Sequence, residues 1–392
     1  MHALRLDRNG KDKMMSIASA LGFGSDRKIR YAAVGLGDIT QSAMLPGISH
    51  TGNSELVALV TDDPDKGRAV AARYGDIPVH RYEDFDTLLR SGLIDAVYLG
   101  TPNWRHAEFA VPALKAGVHV LCEKPLEISV DKAREIMDAA AASSAKVMTA
   151  YRLHFEPATM DAIRRIRGGE LGELISFTSA FSQMLDPANH RAHNGIEAGP
   201  LFDMGPYPIN AARYLFGEEP EEVVSAAGSR HADSGFPQDF DDTVAVTLRF
   251  PGGRLAQFTV SYYANRVDNL TIAGTKGAIT LSPGYGFGSP LEQFRTIGEK
   301  HAHESFKVTD QFCGEMRYFS DCILHDRPVE PDAEEGLADL RVIEGIVAAL
   351  ESGGPQTLPP FTRTRRIDPD AQEQTLSPVK PPETVGVSSP GR

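Results

Sequence analysis

The chain has 392 residues, of which 41% are hydrophobic and 24% are charged, and its formal net charge is −13. This length exceeds one ordinary hydrophobic core and favours two domains, while the negative charge argues against nucleic acid and anionic membranes as partners. No apolar run reaches the length of a membrane span, and an anionic cofactor is still allowed because it needs only a locally positive pocket.

The N-terminal half alternates between two kinds of pattern. Residues 1–28 contain a short apolar stretch with a poor cleavage site, which indicates a flexible or helical extension. Residues 29–150 alternate short apolar strands with helical patterns, which predicts parallel βαβ units and helices on both sheet faces. The predicted strands are residues 29–35, 56–60, 94–100, 118–122 and 146–150.

Residues 151–360 have a different pattern and predict a second domain. Short linkers rich in Gly, Asp and Pro join its alternating stretches, as they join antiparallel strands. Two helices, at about 309–325 and 333–352, end this region, and residues 361–392 are predicted to be a disordered or surface-wrapping tail. The predicted strands are residues 174–182, 222–227, 243–250, 255–263, 270–273 and 278–281.

The cysteines and histidines indicate the compartment and the absence of a metal. Cys122, Cys313 and Cys322 have no metal-ligand spacing and are typical of reduced, buried thiols. Together with the lack of a recognisable secretion signal, they predict a cytoplasmic protein. No histidine pair has a placed carboxylate partner, so no metal site is expected.

A glycine-rich turn follows the first predicted strand and opens a helix. It reads Gly35-Leu36-Gly37-Asp38-Ile39-Thr40. In a βαβ unit, the two glycines permit a tight turn and let a pyrophosphate approach backbone N–H groups at the helix N-terminus. Gly35, Leu36, Gly37, Asp38 and Ile39 are therefore predicted to bind a dinucleotide; the alternative is an ordinary glycine turn.

The end of the second strand is where such proteins select between NAD and NADP. There the chain has Thr61, which can donate to a 2′-phosphate, and Lys66, which can neutralise it. These residues favour NADP. Asp62 leaves NAD open, because a shift of one residue would place its carboxylate on the ribose hydroxyls, and Lys66 could instead lie on a solvated helix face.

Two further segments follow neighbouring strands at the same sheet edge, where ligands of doubly wound sheets bind. One is Thr101-Pro102-Asn103-x-x-His106 and the other is Glu123-Lys124-Pro125. An ammonium at this edge can reach both cofactor and substrate, although Lys124 seen alone could be a surface lysine. The residues predicted here to contact the cofactor are Thr101, Pro102, Asn103, His106, Glu123 and Lys124.

A carboxylate and a phenol, Asp203 and Tyr207, lie four residues apart, a spacing that puts both on one face of a helix. Two flanking prolines disfavour a mid-helix position, so Asp203 is expected at or before the helix start, where it could be a simple N-cap. Tyr207 could be a packed aromatic. Arg152 and His154, just past the last strand of the first region, either face the same cleft or form structural hydrogen bonds.

Six segments in this order resemble the Gfo/Idh/MocA oxidoreductase family, and most of all its glucose–fructose oxidoreductase branch. They lie within residues 29–350 and read YAAVGLGDITQSAMLPG, DAVYLGTPNWRHAEFA, HVLCEKPLEIS, AYRLHFEP, GPLFDMGPYPINAARYLFGEEP and IAGTKGAITL. The resemblance implies an α/β protein, with a Rossmann domain at 29–150 and an α/β domain at 151–360 that carries a large, mostly antiparallel open sheet. It also implies a catalytic set of Lys124, Asp203 and Tyr207, with tyrosine where most other members have histidine.

The same resemblance implies an NAD(P)-dependent sugar oxidoreductase, with NADP favoured over NAD and tightly bound NADP as one form. The expected reaction transfers a hydride between the nicotinamide and C1, or another carbinol carbon, of an aldose to give a lactone, or runs in reverse. Tyr207 would act as acid/base beside Lys124, and Asp203, Arg152 and His154 would complete the sugar site. A homodimer or homotetramer through the second sheet is expected. The alternative is a non-catalytic NAD(P)-binding sensor or assembly protein of the same fold.

Overall fold

A computed structural model describes residues 27–363 and 365–387, so the predicted N-terminal extension lies almost entirely outside the described residues. The first sheet has six parallel strands in the order β3-β2-β1-β4-β5-β6. This is the strand order of the dinucleotide-binding Rossmann fold. The strands are β1 Ile29–Val34, β2 Ser54–Val60, β3 Val79–His80, β4 Ala96–Leu99, β5 His119–Glu123 and β6 Val147–Ala150.

Helices connect these strands as the parallel arrangement requires. A π-helical segment, Thr40–Met44, follows β1, and four α-helices follow later strands. α4 shows why they form: Ser129 accepts a hydrogen bond from the Lys132 N–H at its N-terminus, and residues three or four apart along it are buried. The helices are α1 Pro64–Ala71, α2 Phe85–Arg90, α3 His106–Lys115 and α4 Val130–Ala141.

The second sheet has nine strands in the order β14-β13-β12-β11-β7-β10-β9-β8-β15. Only β7 and β10 pair in parallel; the other neighbouring strands described are antiparallel, which confirms the predicted fold class. The strands are β7 Leu174–Met184, β8 Glu222–Ser229, β9 Thr243–Arg249, β10 Leu255–Ser261, β11 Tyr263–Gly274, β12 Gly277–Leu281, β13 Leu291–Ile297, β14 Lys300–Phe306 and β15 Gln356–Thr357.

The pairing register of the strands shows which side chains share a face of this sheet. One row of paired residues is buried from β12 through β11, β7 and β10 to β9, and the side chains of the next row are partly or fully exposed. The outward row begins at Phe294, whose side chain is 46% exposed. The buried row is Ile279, Ile272, Phe177, Ala256 and Leu248. The outward row is Phe294, Thr280, Thr271, Thr178, Gln257 and Thr247.

Three strands of this sheet, β13, β14 and the two-residue β15, were not predicted from the sequence. β14 is exposed along most of its length, and its sequence KHAHESF has no apolar face. A strand at the edge of a sheet is held by backbone pairing rather than by burial, so periodicity does not mark it. Charged residues on such an edge also discourage pairing with other chains.

Helices of the C-terminal half connect the two sheets. α9 packs against α4 and also against β8, and α8 packs against β1 and β2. These contacts place the carboxyl edge of the first sheet beside the second sheet. The helices are α5 Pro157–Arg167, α6 Pro200–Asp203, α7 Pro206–Phe216, α8 Gln311–Leu324, α9 Ala333–Ser352 and α10 Pro369–Gln372.

No helix in the described ranges is long and apolar enough to cross a membrane. The three cysteines are buried and free, as predicted.

The C-terminal tail packs on the protein in its described part, which selects the surface-wrapping alternative for those residues. The Arg363 side chain is 0% exposed and pairs with carboxylates at the start of α9. Its guanidinium nitrogens lie 2.7 Å from Glu330, 2.8 Å from Asp332 and 2.6 Å from Glu335. Glu335 is shared with the fully buried Arg213. One buried ion network therefore anchors the tail.

We expect Arg363→Met to lower the free energy of unfolding by about 3–5 kcal/mol, because it leaves buried carboxylates without their partner. Arg365→Met is the matched control, since the Arg365 side chain is 45% exposed and its pair should contribute about 0–1 kcal/mol. Urea unfolding of both variants measures the difference. Equal stabilities of the two variants would show that the tail is not anchored by this network.

Candidate active site

The glycine turn leaves room for a dinucleotide on one side only. Gly35 has φ +84°, and a Cβ there would lie 2.8 Å from the Thr101 backbone N and 2.9 Å from the Gly100 carbonyl. A Cβ at Gly37 would meet only the Gly100 carbonyl oxygen, at 3.8 Å. Thr40 occupies the third position of the motif. Its hydroxyl donates a hydrogen bond to the Gly35 carbonyl at 2.9 Å and so stabilises the turn.

A second observation also fits a cofactor at this place. The Thr101 hydroxyl is buried beside the turn and has no hydrogen-bond partner within the described part of the chain. Buried hydroxyls are normally paired, so an orphan marks a place where a ligand or water can bind. The open side of Gly37 and the Thr101 hydroxyl together fit the sugar–phosphate part of a dinucleotide.

Substituting the two glycines should separate folding from binding. We expect Gly35→Ala to destabilise the cofactor-free protein by about 1–2 kcal/mol or more, since an L-residue is strained at positive φ and its Cβ meets backbone. Gly37→Ala is the matched control for stability, because its Cβ makes only ordinary contacts, yet it should weaken NADPH binding. Urea unfolding without cofactor and fluorescence titration with NADPH test both. Equal stability of the two variants would contradict this geometry.

The residues after β2 form the predicted ribose-selecting end. The Thr61 hydroxyl is buried and accepts a hydrogen bond from the Asp63 N–H at 3.3 Å. Asp63 caps α1 by accepting from the Lys66 N–H at 2.9 Å. Asp62 accepts from the Tyr82 N–H at 3.0 Å, so its carboxylate is engaged by the neighbouring loop. This arrangement leaves Lys66 as the cationic side chain at the start of α1.

The loops after β4 and β5 are tied together by His106. This ring is buried, with Nε2 3.1 Å from the Thr101 carbonyl and Nδ1 3.0 Å from the Pro125 carbonyl. Burial lowers its pKa to about 4, so the ring is neutral at neutral pH. A neutral ring has one N–H and donates to only one of these carbonyls, and the buried side chain lies between the loop that precedes α3 and the loop that follows Lys124.

Asn103 and Glu123, also predicted to contact the cofactor, each have a protein partner. The Asn103 amide donates to the Glu197 carbonyl at 2.7 Å, which connects this loop to the segment before α6. The Glu123 carboxyl accepts from the Tyr98 hydroxyl at 2.9 Å. Burial raises the pKa of Glu123. Both side chains therefore help to shape the sheet edge.

Lys124 lies at the end of β5 and contacts Asp203 directly. Its Nζ donates to the Asp203 carbonyl at 2.7 Å and to Oδ1 at 3.1 Å. Asp203 is the last residue of α6, and α7 begins only at Pro206. The N-cap of α7 is Gly205, so the alternative that Asp203 is a simple N-cap is wrong.

The two carboxylate oxygens of Asp203 contact different groups. Oδ2 accepts from the Tyr262 hydroxyl at 2.7 Å and lies 3.4 Å from Arg191 Nε. Burial by itself raises the pKa of Asp203, but Lys124, Arg191 and the Tyr262 hydrogen bond outweigh it and hold the pKa well below its usual value. Burial disfavours the charged form of Lys124, but the nearby negative charge, chiefly that of Asp203, favours it more strongly. The pKa of Lys124 is therefore raised. The pair therefore stays ionised at neutral pH.

Tyr207 lies between two cations. Arg152 Nη2 donates to its hydroxyl at 3.1 Å, and Lys124 Nζ lies 4.9 Å from the centre of its ring. Arg152 is itself fixed by a hydrogen bond to the Tyr285 carbonyl at 2.5 Å and by a short one to Gln311. Tyr207 and Asp203 lie on successive helices, not on one helical face, and they meet at Lys124.

His154 lines the same cavity as Lys124, Arg152 and Tyr207. It is buried, its Nε2 lies 2.6 Å from the Asn210 side-chain oxygen, and burial lowers its pKa to about 4. The neutral ring therefore donates from Nε2, and its Nδ1 has no hydrogen-bond partner among the described residues. The structure thus brings all five predicted substrate residues together. They are Lys124, Arg152, His154, Asp203 and Tyr207.

Two contributors, Tyr262 and Arg191, were not identified from the sequence. Tyr262 follows directly after β10, where an aromatic residue is typical of packing, and only the fold brings its hydroxyl to Asp203. Arg191 lies in a 3₁₀ turn with no motif. Within the described ranges, no group of three His, Cys, Asp or Glu side chains could hold a metal ion.

A Rossmann sheet with an open glycine turn, beside a cluster of lysine, aspartate and tyrosine, defines the class of nicotinamide-dependent oxidoreductases. Residues 29–151 match the oxidoreductase family with an NAD-binding Rossmann fold. Residues 159–280 match the GFO/IDH/MocA C-terminal domain. The chain belongs to the GFO/IDH/MocA oxidoreductase family, as its motifs indicate.

Three relatives place the chain within this family. D-xylose 1-dehydrogenase [NADP(+)] of Haloarcula marismortui is 30% identical over 336 residues, which is 84% of this chain and 92% of the relative. Bovine (Bos taurus) trans-1,2-dihydrobenzene-1,2-diol dehydrogenase is 32% identical over 244 residues, 62% of this chain and 69% of the relative. The crystal structure of aldose-aldose oxidoreductase from Caulobacter crescentus complexed with glycerol has a TM-score of 0.80 and 32% identity, covering 85% of this chain and all of that one.

Proposed function

We propose that this protein is an NADP-dependent oxidoreductase that transfers a hydride between the nicotinamide and C1 of an aldose, giving an aldonolactone or running in reverse. The observation that carries the proposal is the Lys124–Asp203 ion pair, which lies beside Tyr207 at the carboxyl edge of the Rossmann sheet. The names of the xylose dehydrogenase and the aldose-aldose oxidoreductase support C1 of an aldose as the reacting carbon.

The cofactor site is formed by the edge of residues 29–150. Gly35, Leu36, Gly37, Asp38 and Ile39 hold the pyrophosphate, and Thr61 and Lys66 hold the adenosine 2′-phosphate. Thr101, Pro102 and Asn103 cover the dinucleotide, while His106 and Glu123 hold the loops in place. The xylose dehydrogenase relative is named as an NADP(+) enzyme, which supports NADP over NAD for this chain.

Each protein group has a separate task in the reaction. Bound NADP supplies the hydride acceptor, and the protein aligns the sugar with it. Tyr207 takes the proton of the C1 hydroxyl in the oxidative direction and returns it in the reductive direction. Arg152 and Lys124 stabilise the negative charge on its oxygen, since both cations lie close to the phenol. Asp203 keeps Lys124 in position, and His154 lines the sugar cavity, where Asn210 fixes its ring.

A non-catalytic sensor or assembly protein is the second candidate. Burying a lysine and an aspartate is costly unless they are paired, and a pure binder gains nothing from this pair. The phenol beside it likewise has no task in a protein that only binds. The cluster therefore favours turnover.

The proposal extends to assembly and compartment. Residues 151–360 would carry the substrate site and form a homodimer or homotetramer through the outward row of the second sheet, which is small and polar apart from Phe294. A sheet face with exposed side chains such as those of Thr178 and Gln257 suits a second copy of the chain as partner. We propose a cytoplasmic location, with the buried free thiols as its support.

A panel of aldoses mixed with the purified protein and NADP tests the function. We expect at least one aldopentose or aldohexose to reduce NADP, seen as the absorbance of reduced nicotinamide, and its 1-deoxy analogue to be inert. Native mass spectrometry of the same sample gives the bound cofactor and the number of subunits. Tight NADP binding without turnover on any sugar, in either direction, would favour the sensor.

A further inference from the structure

The last described residues of the chain return to the cofactor turn, 344 residues away in sequence. The Val385 N–H donates to Gln41 Oε1 at 2.8 Å, and Gln41 Nε2 donates back to the Val385 carbonyl at 3.0 Å. Gln41 is 2% exposed and lies in the π-helical segment that follows the glycine turn. A reciprocal pair of this kind fixes both distance and direction.

The same glutamine reaches the glycine turn itself. Gln41 Nε2 also donates to the Leu36 carbonyl at 2.9 Å. One amide group therefore connects the middle of the turn to residue 385. Any movement of the C-terminal segment is transmitted to the backbone that would face the pyrophosphate.

The segment also runs along α1, the helix that carries Lys66. Arg73 Nη1, beyond the end of α1, donates to the Glu383 carbonyl at 2.5 Å. At the other end of α1, Gly386 packs on Lys66: a Cβ at residue 386 would lie 2.9 Å from Lys66 Cε. The absence of a side chain at 386 thus lets Lys66 keep its place.

The segment is anchored before it reaches α1. The Leu376 carbonyl accepts from the Asp310 N–H at 2.8 Å, and the Gln374 N–H donates to the Phe155 carbonyl at 2.9 Å. Residues 377–387 therefore form a strap, fixed at 376 and fastened again at Gln41. The strap bridges α8, α1 and the glycine turn.

We propose that this strap is a positioning element of the cofactor site that slows the release of NADP(H). It holds Lys66 and the glycine turn in the arrangement that binds the 2′-phosphate and pyrophosphate. The inference rests on the proposed role of Lys66 toward NADP. Lys66, whose ammonium lies 3.8 Å from the Asp63 carboxylate, is the group proposed to meet the 2′-phosphate, so loss of the strap affects NADPH more than NADH.

Truncation tests the strap. We expect a chain ending at Leu376 to release NADPH about tenfold faster than the full chain, as the loss of two ordinary hydrogen bonds predicts, with a smaller change for NADH. Stopped-flow fluorescence of bound NADPH, displaced by excess NADP, measures the rate. The matched control ends at Val387; it keeps every contact described above and should release NADPH like the full chain.

Two point variants keep the whole chain. Gln41→Met removes the reciprocal hydrogen bonds at similar volume, and Gly386→Ala pushes on Lys66; both should speed NADPH release. Combining Gln41→Met with the truncation should add less than the sum of the two effects, since both act through one contact. Additive effects would show that Gln41 acts without the strap. If the truncated chain does not fold, the point variants decide.

The outcomes separate this inference from the proposed function. If the full chain binds NADPH and neither the truncation nor Gln41→Met changes its release beyond twofold, the strap inference is overturned and the proposed function stands. If the full chain binds neither NADPH nor NADP, both fall. In cofactor-free protein, hydrogen exchange at residues 37–45 should also rise on truncation, and unchanged exchange would count against the strap.

Discussion

Replacing Lys124 by alanine should lower kcat by about 10³-fold or more while leaving the Kd for NADP nearly unchanged. The ammonium contacts Asp203 at two atoms and also lies against the Tyr207 ring. Its loss leaves a buried carboxylate without its main counter-charge and takes a cation from the phenol. The adenosine and pyrophosphate contacts lie elsewhere, so the cofactor should still bind.

Two further lysine variants sharpen this result. Lys132→Ala removes a lysine whose side chain is 51% exposed and paired only with Glu135, and it should have no effect on turnover. Lys124→Arg keeps the charge but not the geometry, so it should recover little activity. Steady-state kinetics and NADPH titration give both parameters. Turnover near the wild-type level in Lys124→Ala would remove the lysine from the mechanism.

Replacing Tyr207 by phenylalanine should lower kcat by about 10²–10⁴-fold, the usual contribution of a positioned acid/base. The variant lacks the hydroxyl that is proposed to exchange a proton with the C1 hydroxyl of the sugar. Asp203 and Lys124 should stay ionised at neutral pH in both proteins, because the pKa of Asp203 is lowered and that of Lys124 is raised.

Tyr285→Phe is the control for this change. Its ring packs 5.7 Å from the Tyr207 ring, but its hydroxyl contacts Ser179 and not the cavity cations. It should therefore keep a kcat near the wild-type value. The kcat of the two variants at one pH is the deciding measurement, and a wild-type kcat in Tyr207→Phe would remove Tyr207 as the acid/base.

Local patterns predicted five of the six strands of the first sheet, and the two-residue β3 was missed. The predicted strand at 29–35 is observed at Ile29–Val34, and the one at 118–122 at His119–Glu123, because buried parallel strands are short apolar runs. Gly35 could be recognised because its positive φ and close backbone neighbours allow no other residue. The edge strand β14 and its neighbour β13 could not be recognised, since their side chains follow no apolar pattern.

The side-chain partners of Asp203 could not be predicted from the sequence, for a different reason. The proline-flanked turn suggested an N-cap, whereas the side chain contacts Lys124, Arg191 and Tyr262, which lie 79, 12 and 59 residues away along the chain. Such partners are set by tertiary packing and carry no local spacing. The tail posed the same problem: its composition suggests disorder or a surface path, and only the buried pairing of Arg363 decides between them.

Transfer of the C1 hydrogen of an aldose to the nicotinamide is the central claim, and isotope tracing tests it most directly. The protein would be incubated with NADP and a [1-²H]aldose chosen from the sugar panel, and the reduced cofactor analysed by mass spectrometry. We expect one deuterium in NADPH, formation of the lactone and a slower rate than with the unlabelled sugar. Unlabelled NADPH formed from the deuterated sugar would show that the hydride comes from another carbon and would contradict this account.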